Sequence, residues 1–135
     1  MAAQHRVLIA AQPGVAELLQ RMLEGSAEIV TAATPARAFE LLARPGGIDL
    51  IVCTFGFDES RMVDFLQEVR RRPETRAIPF LVVRAIRRFL SDALIERLGA
   101  AARQVGASEF LDIARLDEQA ARERLRATVA GLLAH

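Results

Sequence analysis

Short apolar runs punctuate this chain, and longer stretches of mixed polarity separate them. Each run is apolar over almost all of its three to six residues, a pattern typical of strands that are buried on both faces of a sheet. A buried helix of the same polarity would need a run of about ten residues or more. The pattern therefore predicts five strands, at residues 7–11, 29–32, 50–53, 78–83 and 109–111.

The stretches between the strands have the spacing of amphipathic helices. After the first strand, apolar residues recur at i, i+3, i+4, i+7 and i+8, at Val15, Leu18, Leu19, Met22 and Leu23. The fourth helix is predicted to bury Leu94, Ile95, Leu98, Ala102 and Val105. Residues suited to helix N-caps stand before the later helices: Thr34 with Pro35 after it, Ser60, Ser91 with Asp92, and Asp117. Two glycines, Gly25 and Gly106, are placed to end helices.

Five strands that alternate with five amphipathic helices predict an α/β domain with a parallel sheet between two helical layers. Right-handed crossovers favour the flavodoxin-like (βα)5 three-layer sandwich, with strand order 2-1-3-4-5. We expect a single domain over residues 1–135, with its core at about 6–133. A site in such a sheet lies at the carboxyl ends of the strands, here at residues 10–13, 54–59, 84–88 and 112–115.

Composition narrows the range of functions. The formal net charge is +1, which argues against general affinity for nucleic acid. All eighteen basic residues are Arg, so Schiff-base and phosphate-loop lysine chemistry is excluded. The lone Cys53 cannot form an internal disulfide, and no apolar run approaches about 18 residues, so we expect a cytoplasmic protein without a membrane span.

The order of strands and helices, together with three segments of the chain, resembles a response-regulator receiver domain of the CheY-like family. The segments are residues 49–54, the predicted strand 78–83, and residues 106–111, and the likeness extends over almost the whole chain. The resemblance implies autocatalytic phosphoryl transfer from a sensor kinase to an Asp at the end of the third strand. It also implies a divalent cation held by acids after the first strand, and a hydroxyl and a Lys that neutralise the phosphoryl oxygens.

The residues that this chemistry requires are absent from the matching positions. The acidic pair falls on Ala10 and Ala11, or on Ala11 and Gln12, and the phosphoacceptor position holds Thr54. Arg84 replaces the hydroxyl residue and Ile113 replaces the Lys. Mg²⁺ needs carboxylates that these residues do not provide, and Asp58 and Glu59 are interpreted as loop residues exposed to solvent. We therefore expect a degenerate receiver, a pseudo-receiver, without catalytic residues, metal or cofactor.

Two residues of this degenerate pocket have open alternatives. Arg84 either pairs with Asp58 or Asp112 and fixes one conformation, or extends to solvent at the end of its strand. Phe110 matches the aromatic that changes rotamer in phosphorylated receivers, and without phosphorylation it is interpreted as a core or groove aromatic. Elsewhere, Cys53 is interpreted as a buried small hydrophobe and Arg70–Arg72 as a solvated helix end.

Between Arg84 and Gly106 the chain is about two helical turns longer than receivers usually are. Receivers commonly use the face made by the fourth helix, fifth strand and fifth helix to dimerise or to bind partners. The candidate interaction residues on this face are Arg87, Arg88, Phe89, Leu90, Phe110 and Arg115. The partner is expected to be a signalling protein, an output domain of the same protein, or a second copy.

The sequence thus predicts a phosphorylation-independent protein-interaction module of bacterial signal transduction rather than an enzyme. Two other classes stay open. One is a flavodoxin-like domain that binds a small ligand, although the loop at residues 10–14 lacks a phosphate cradle. The other is an Arg-mediated nucleic-acid adaptor, which the balanced charge makes less favourable.

Overall fold

The computed structural model describes residues 4–86 and 91–134. Five strands form one parallel sheet in the order β2-β1-β3-β4-β5, which confirms the predicted fold class and topology. The strands are β1 (Arg6–Ala10), β2 (Glu28–Ala32), β3 (Leu50–Thr54), β4 (Phe80–Arg84) and β5 (Glu109–Asp112).

Helices cover both faces of the sheet, as continuous apolar strands require. They are α1 (Pro13–Met22), α2 (Pro35–Leu42), α3 (Phe57–Ser60), α4 (Met62–Arg71), α5 (Asp92–Val105) and α6 (Glu118–Leu133). Successive residues of β1 face opposite layers, so that Val7 and Ile9 pack with α1 and α6 while Leu8 and Ala10 pack with α2 and α4. Two apolar clusters therefore form, one on each face of the sheet.

Three of the predicted N-caps are confirmed by their hydrogen bonds. Thr34 Oγ1 accepts from the Arg37 N–H at 3.2 Å, Ser91 Oγ from the Leu94 N–H at 3.1 Å, and Asp117 Oδ1 from the Ala120 N–H at 2.8 Å. Each bond satisfies a backbone donor that the first helical turn leaves without a partner.

The predicted N-cap at Ser60 is wrong. Residues Phe57–Ser60 form a short helix of their own, α3, and α4 begins at Met62 with Arg61 at its N-cap position. The reason lies in the loop after β3, where the buried Phe57 side chain contacts Phe65 with ring centroids 5.1 Å apart. With Phe57 packed in this way, residues Phe57–Ser60 form a helical turn before α4 begins.

The fourth strand is shifted by two residues from its predicted start. The Ile78 N–H bonds to the Thr75 carbonyl within a turn, and Pro79 has no N–H, so β4 begins at Phe80. The strand then continues to Arg84, which pairs in register with Asp112 of β5. This extension by one residue beyond the predicted end matters because it makes Arg84 part of the sheet rather than of the following loop.

Two further predictions about burial are wrong. Leu94 is 39% exposed, because α5 turns Ile95, Gly99 and Ala102 towards the sheet and adjacent helical residues cannot share that face. Arg70 is not solvated at the end of α4 but half-buried, with hydrogen bonds to the carbonyls of Gly106, Arg76 and Ile78 at 2.9, 2.9 and 2.6 Å. Burial lowers the pKa of the Arg70 guanidinium.

In the part of the chain that the structure describes, no helix is both long enough and apolar enough to cross a membrane.

Candidate functional site

The carboxyl ends of β1 and β3 meet at the centre of the sheet edge, because the two strands are neighbours and Ala10 pairs with Cys53. Ala10, Ala11 and Thr54 lie here and are all buried, with Thr54 only 4% exposed. Gln12 lies at the surface, where its Nε2 donates to the Gly56 carbonyl at 3.4 Å. The four predicted pocket positions that follow β1 and β3 thus lie at one edge of the sheet, and their side chains are small or uncharged, while Ile113 is buried in the apolar cluster under α1 and α6.

These residues do not fit the divalent cation that receivers hold. Carboxylates are the usual ligands of such an ion, yet the ends of β1 and β3 carry methyl, amide and hydroxyl groups. Among the described residues, no three His, Cys, Asp or Glu side chains come close enough to hold a metal ion. Asp58 lies in α3 with a φ of +50°, and Asp112 is already in contact with a cation of the protein itself.

That cation is Arg84, which lies at the end of β4 and is only 3% exposed. Its Nη1 donates to both carboxylate oxygens of Asp112, at 3.2 and 3.1 Å. Of the two acids considered as partners from the sequence, Asp112 is therefore the one that the structure places against Arg84. The alternative of an Arg84 side chain extended into solvent is wrong, because its guanidinium is enclosed by the fold.

The pair is held by the sheet as well as by its charges. Arg84 and Asp112 occupy matching register positions of adjacent parallel strands, and the Ile113 N–H donates to the Arg84 carbonyl at 2.9 Å. Asp112 Oδ1 also accepts from the Ala114 N–H at 3.1 Å, which fixes the plane of the carboxylate. Because the local dielectric constant is low, the attraction is stronger here than between charges in water. A permanent positive charge is thus fixed at this edge.

An aromatic stack lies beside the pair. The rings of Phe55 and Phe110 are 5.1 Å apart and nearly parallel, with 6° between their planes. Phe110 also lies against α5 at Gly99, where an added Cβ would come within 2.5 Å of its ring. The stack therefore joins the segment after β3, strand β5 and helix α5.

Phe55 was not singled out from the sequence. The signal for it is an aromatic residue directly after Thr54, at the point where the third strand leaves the sheet. Cys53, by contrast, is fully buried as expected, and burial raises the pKa of its thiol well above the usual value. A thiol in this state is not a reactive nucleophile.

The predicted interaction face is described only in part. Arg115 Nη2 and Asp92 Oδ1 form an exposed ion pair at 2.6 Å, which ties the segment after β5 to the start of α5. Arg87, Arg88, Phe89 and Leu90 lie outside the described residues. The large apolar side chains that the structure does show exposed are Ile86, Leu94 and Leu116, at 43%, 39% and 38%.

These three residues belong to the segments that follow β4 and β5 or to the first turn of α5. They are therefore on the same side of the sheet as the Arg84–Asp112 pair, at the carboxyl edge. The sequence pattern did not identify Leu94 and Leu116 as exposed apolar residues. The spacing of Leu94 fits the buried face of a helix, and Leu116 stands in a loop without a periodic pattern.

Solved structures that are similar to this chain include response regulators. A proposed response regulator of Chloroflexus aurantiacus is 21% identical, with a TM-score of 0.77 over 98% of this chain and 100% of that chain. The phosphorylated cyanobacterial phytochrome response regulator RcpA is 15% identical, with a TM-score of 0.75 over 97% of this chain and 95% of that chain. The chemotaxis response regulator CheY4 of Vibrio cholerae is 17% identical, with a TM-score of 0.71 over 96% and 99%.

No protein-family model matches the sequence, and no curated protein matches it significantly. The structural likeness extends over nearly the full length of each neighbour. It establishes the CheY-like receiver fold of the chain, while the identities are too low for the neighbours' activities to be carried over.

Proposed function

We propose that this chain is a pseudo-receiver, a receiver-like domain over residues 1–135 that binds a protein partner in bacterial signalling without being phosphorylated. The observation that carries the proposal is the buried Arg84–Asp112 pair beside a site without acids. In a receiver, phosphorylation adds charge to this edge and neighbouring groups then neutralise it. Here the cation and its carboxylate are both supplied by the chain itself.

The pair gives a physical reason for a single signalling state. An equilibrium between two conformations shifts only when a ligand has different affinities for them. With Ala10, Ala11 and Thr54 in place of the acids, a phosphoryl group and its metal have little to bind at this edge. The Arg84–Asp112 pair and the Phe55–Phe110 stack favour one arrangement of the β4, β5 and α5 ends.

The partner is proposed to bind the face formed by α5, β5 and α6. Phe110 and Arg115 belong to this face. Leu94 and Leu116 expose apolar surface at the end of it that lies nearest the carboxyl edge of the sheet. Residues 87–90 are the remaining candidates from the sequence. The proposed partner is a signalling protein, an output domain of the same protein or a second copy. The proposed location is the cytoplasm, and an enzymatic role is not proposed.

The experiment is incubation with acetyl phosphate, and separately with beryllofluoride, each with Mg²⁺, read by intact mass and by the thermal unfolding midpoint. We expect no added phosphoryl mass and no rise in the midpoint. The triple variant Ala11→Asp, Gln12→Asp, Thr54→Asp is the matched control, because it restores three carboxylates to the same edge. Phosphorylation of the wild-type chain, or its stabilisation by beryllofluoride, would contradict the proposal.

Partner binding supplies a second readout. Once a partner has been identified by pull-down, its affinity for the wild-type domain is expected to be the same with and without beryllofluoride. Stabilisation of the domain by a flavin or a nucleotide in the same thermal assay would instead favour a ligand-binding domain. Salt-dependent retention of the domain on DNA would favour a nucleic-acid adaptor.

A further inference from the structure

Gln12 lies between β1 and α1, at the N-cap position of the helix. At other helices of this chain the N-cap side chain, for example that of Thr34 or Asp117, accepts a hydrogen bond from its own helix. The Gln12 side chain makes no such bond to α1. It extends instead to the segment after β3, where its Nε2 donates to the Gly56 carbonyl at 3.4 Å. Gln12 therefore joins two segments that are 44 residues apart in the chain.

The carbonyl that Gln12 contacts lies where the segment after β3 turns into α3. Gly56 is the N-cap residue of α3, and α3 is only four residues long. Asp58, within that helix, has a φ of +50°, in the left-handed region that residues with a side chain rarely adopt. So short and strained a turn depends on contacts from outside to keep its position. The buried Phe57 supplies one such contact, and the amide of Gln12 supplies another at the start of the turn.

Side-chain contacts continue from this point across the carboxyl edge of the sheet. Phe55 stacks on Phe110 of β5, with ring centroids 5.1 Å apart. Asp112, in the same strand as Phe110, accepts hydrogen bonds from Arg84 of β4. Together with the bond from Gln12, these contacts connect the ends of β1, β3, β5 and β4. The chain makes every one of these connections with its own groups.

A divalent cation could connect the ends of β1 and β3 if acids stood there, because it attracts oxygen ligands from both sides. Ala11 and Thr54 occupy these ends, and an amide N–H needs no carboxylate in order to bind a carbonyl. We propose that Gln12 is a positioning residue that replaces the cation, and that its amide holds the segment after β3 against the end of β1. The inference rests on the proposed function and adds that the conformation of this edge is independent of divalent cations.

Hydrogen exchange of the backbone amides at residues 57–61, measured on the full chain by mass spectrometry, tests the contact. Gln12→Ala removes the donor, and Gln12→Glu replaces it by an acceptor that repels the Gly56 carbonyl. In both variants exchange should become about threefold faster or more. Gln12→Lys keeps a donor that can reach the same carbonyl, so exchange should stay within about 1.5-fold of wild type.

The matched control is Gln104→Glu, because it makes the same chemical change at an exposed position of α5. Exchange at residues 57–61 should be the same in this variant as in wild type. A general effect of added negative charge would instead increase exchange in Gln104→Glu as much as in Gln12→Glu.

Thermal unfolding with Mn²⁺ as the only added ligand tests the replacement of the cation. The wild-type midpoint should be the same in Mn²⁺ and in a chelator. The double variant Gln12→Asp, Thr54→Asp places one carboxylate at each strand end, and carboxylates suit Mn²⁺. Mn²⁺ should raise the midpoint of this variant by about 3 °C or more and slow the exchange of residues 57–61, because the ion then makes the connection.

Exchange that Gln12→Ala and Gln12→Glu leave unchanged would overturn the inference, as would a wild-type midpoint that Mn²⁺ raises. If the double variant does not fold, the single variants still decide the question. Failure here is distinguishable from failure of the proposed function. Unchanged exchange in a chain that ignores beryllofluoride refutes only the role of Gln12. Phosphorylation of a wild-type chain whose Gln12 variants do exchange faster refutes only the phosphorylation-independent function.

Discussion

Replacing Asp112 by Asn is expected to destabilise the fold more than replacing Arg84 by Met, although both changes break the same ion pair. The side chain of Arg84 is 3% exposed, whereas that of Asp112 is 31% exposed. Asp112→Asn leaves a permanently charged guanidinium in a place that water hardly reaches. Arg84→Met removes the charge, keeps an apolar stem of similar length, and leaves a carboxylate that water can partly solvate.

The magnitudes follow from these exposures. Removing one partner of a buried pair costs about 3–5 kcal/mol, and the partial exposure of Asp112 reduces this to about 2–3 kcal/mol for Asp112→Asn. For Arg84→Met we expect about 1 kcal/mol, because the charge that remains is partly hydrated. The double variant should be less destabilised than the sum of the two by about 1 kcal/mol.

Urea unfolding followed by far-ultraviolet circular dichroism measures these differences, since the chain has no Trp. The matched control is Asp92→Asn, because Asp92 and Arg115 form an ion pair with 76% and 55% of their side chains exposed. That change should cost less than about 1 kcal/mol. An equal or reversed order for the two buried-pair variants, or additive effects in the double variant, would refute the reasoning.

Three further predictions concern other parts of the fold. Gly99→Ala should lower stability by about 1–3 kcal/mol and shift the Phe110 ring resonances, because the added methyl group would lie 2.5 Å from that ring. Arg70→Met should cost about 2–4 kcal/mol in urea unfolding, since three carbonyls lose a charged donor, with the exposed Arg71→Met as a neutral control. Because burial raises the pKa of the Cys53 thiol, a thiol reagent should leave the native protein unmodified at pH 8 and react after denaturation, and rapid native labelling would disprove this.

The sheet could be predicted from the sequence because its signals are local. Strands buried on both faces must be continuously apolar, and a parallel sheet needs a helix between successive strands. The caps at Thr34, Ser91 and Asp117 were also predictable, since each bonds to a backbone N–H three residues away. None of these features depends on a distant part of the chain.

The features that sequence reasoning missed depend on distant contacts. Arg70 reaches the carbonyl of Gly106, which is 36 residues away, so the helix-end pattern alone suggested a solvated side chain. The stack of Phe55 on Phe110 joins residues that meet only after β3, β4 and β5 have paired. Arg84 had two candidate acids in the sequence, and only the register of β4 against β5 selects Asp112.

The register pairing of Arg84 with Asp112 places both charges on strands rather than on loops. Their separation is therefore set by the backbone hydrogen bonds of the sheet, and the Ala114 N–H, two residues beyond Asp112, holds the carboxylate in place. The segment after Ala114 can then change in composition while the sheet edge keeps its form. The domain can thus serve as a scaffold on which new binding loops are selected, with the ion pair as a fixed base.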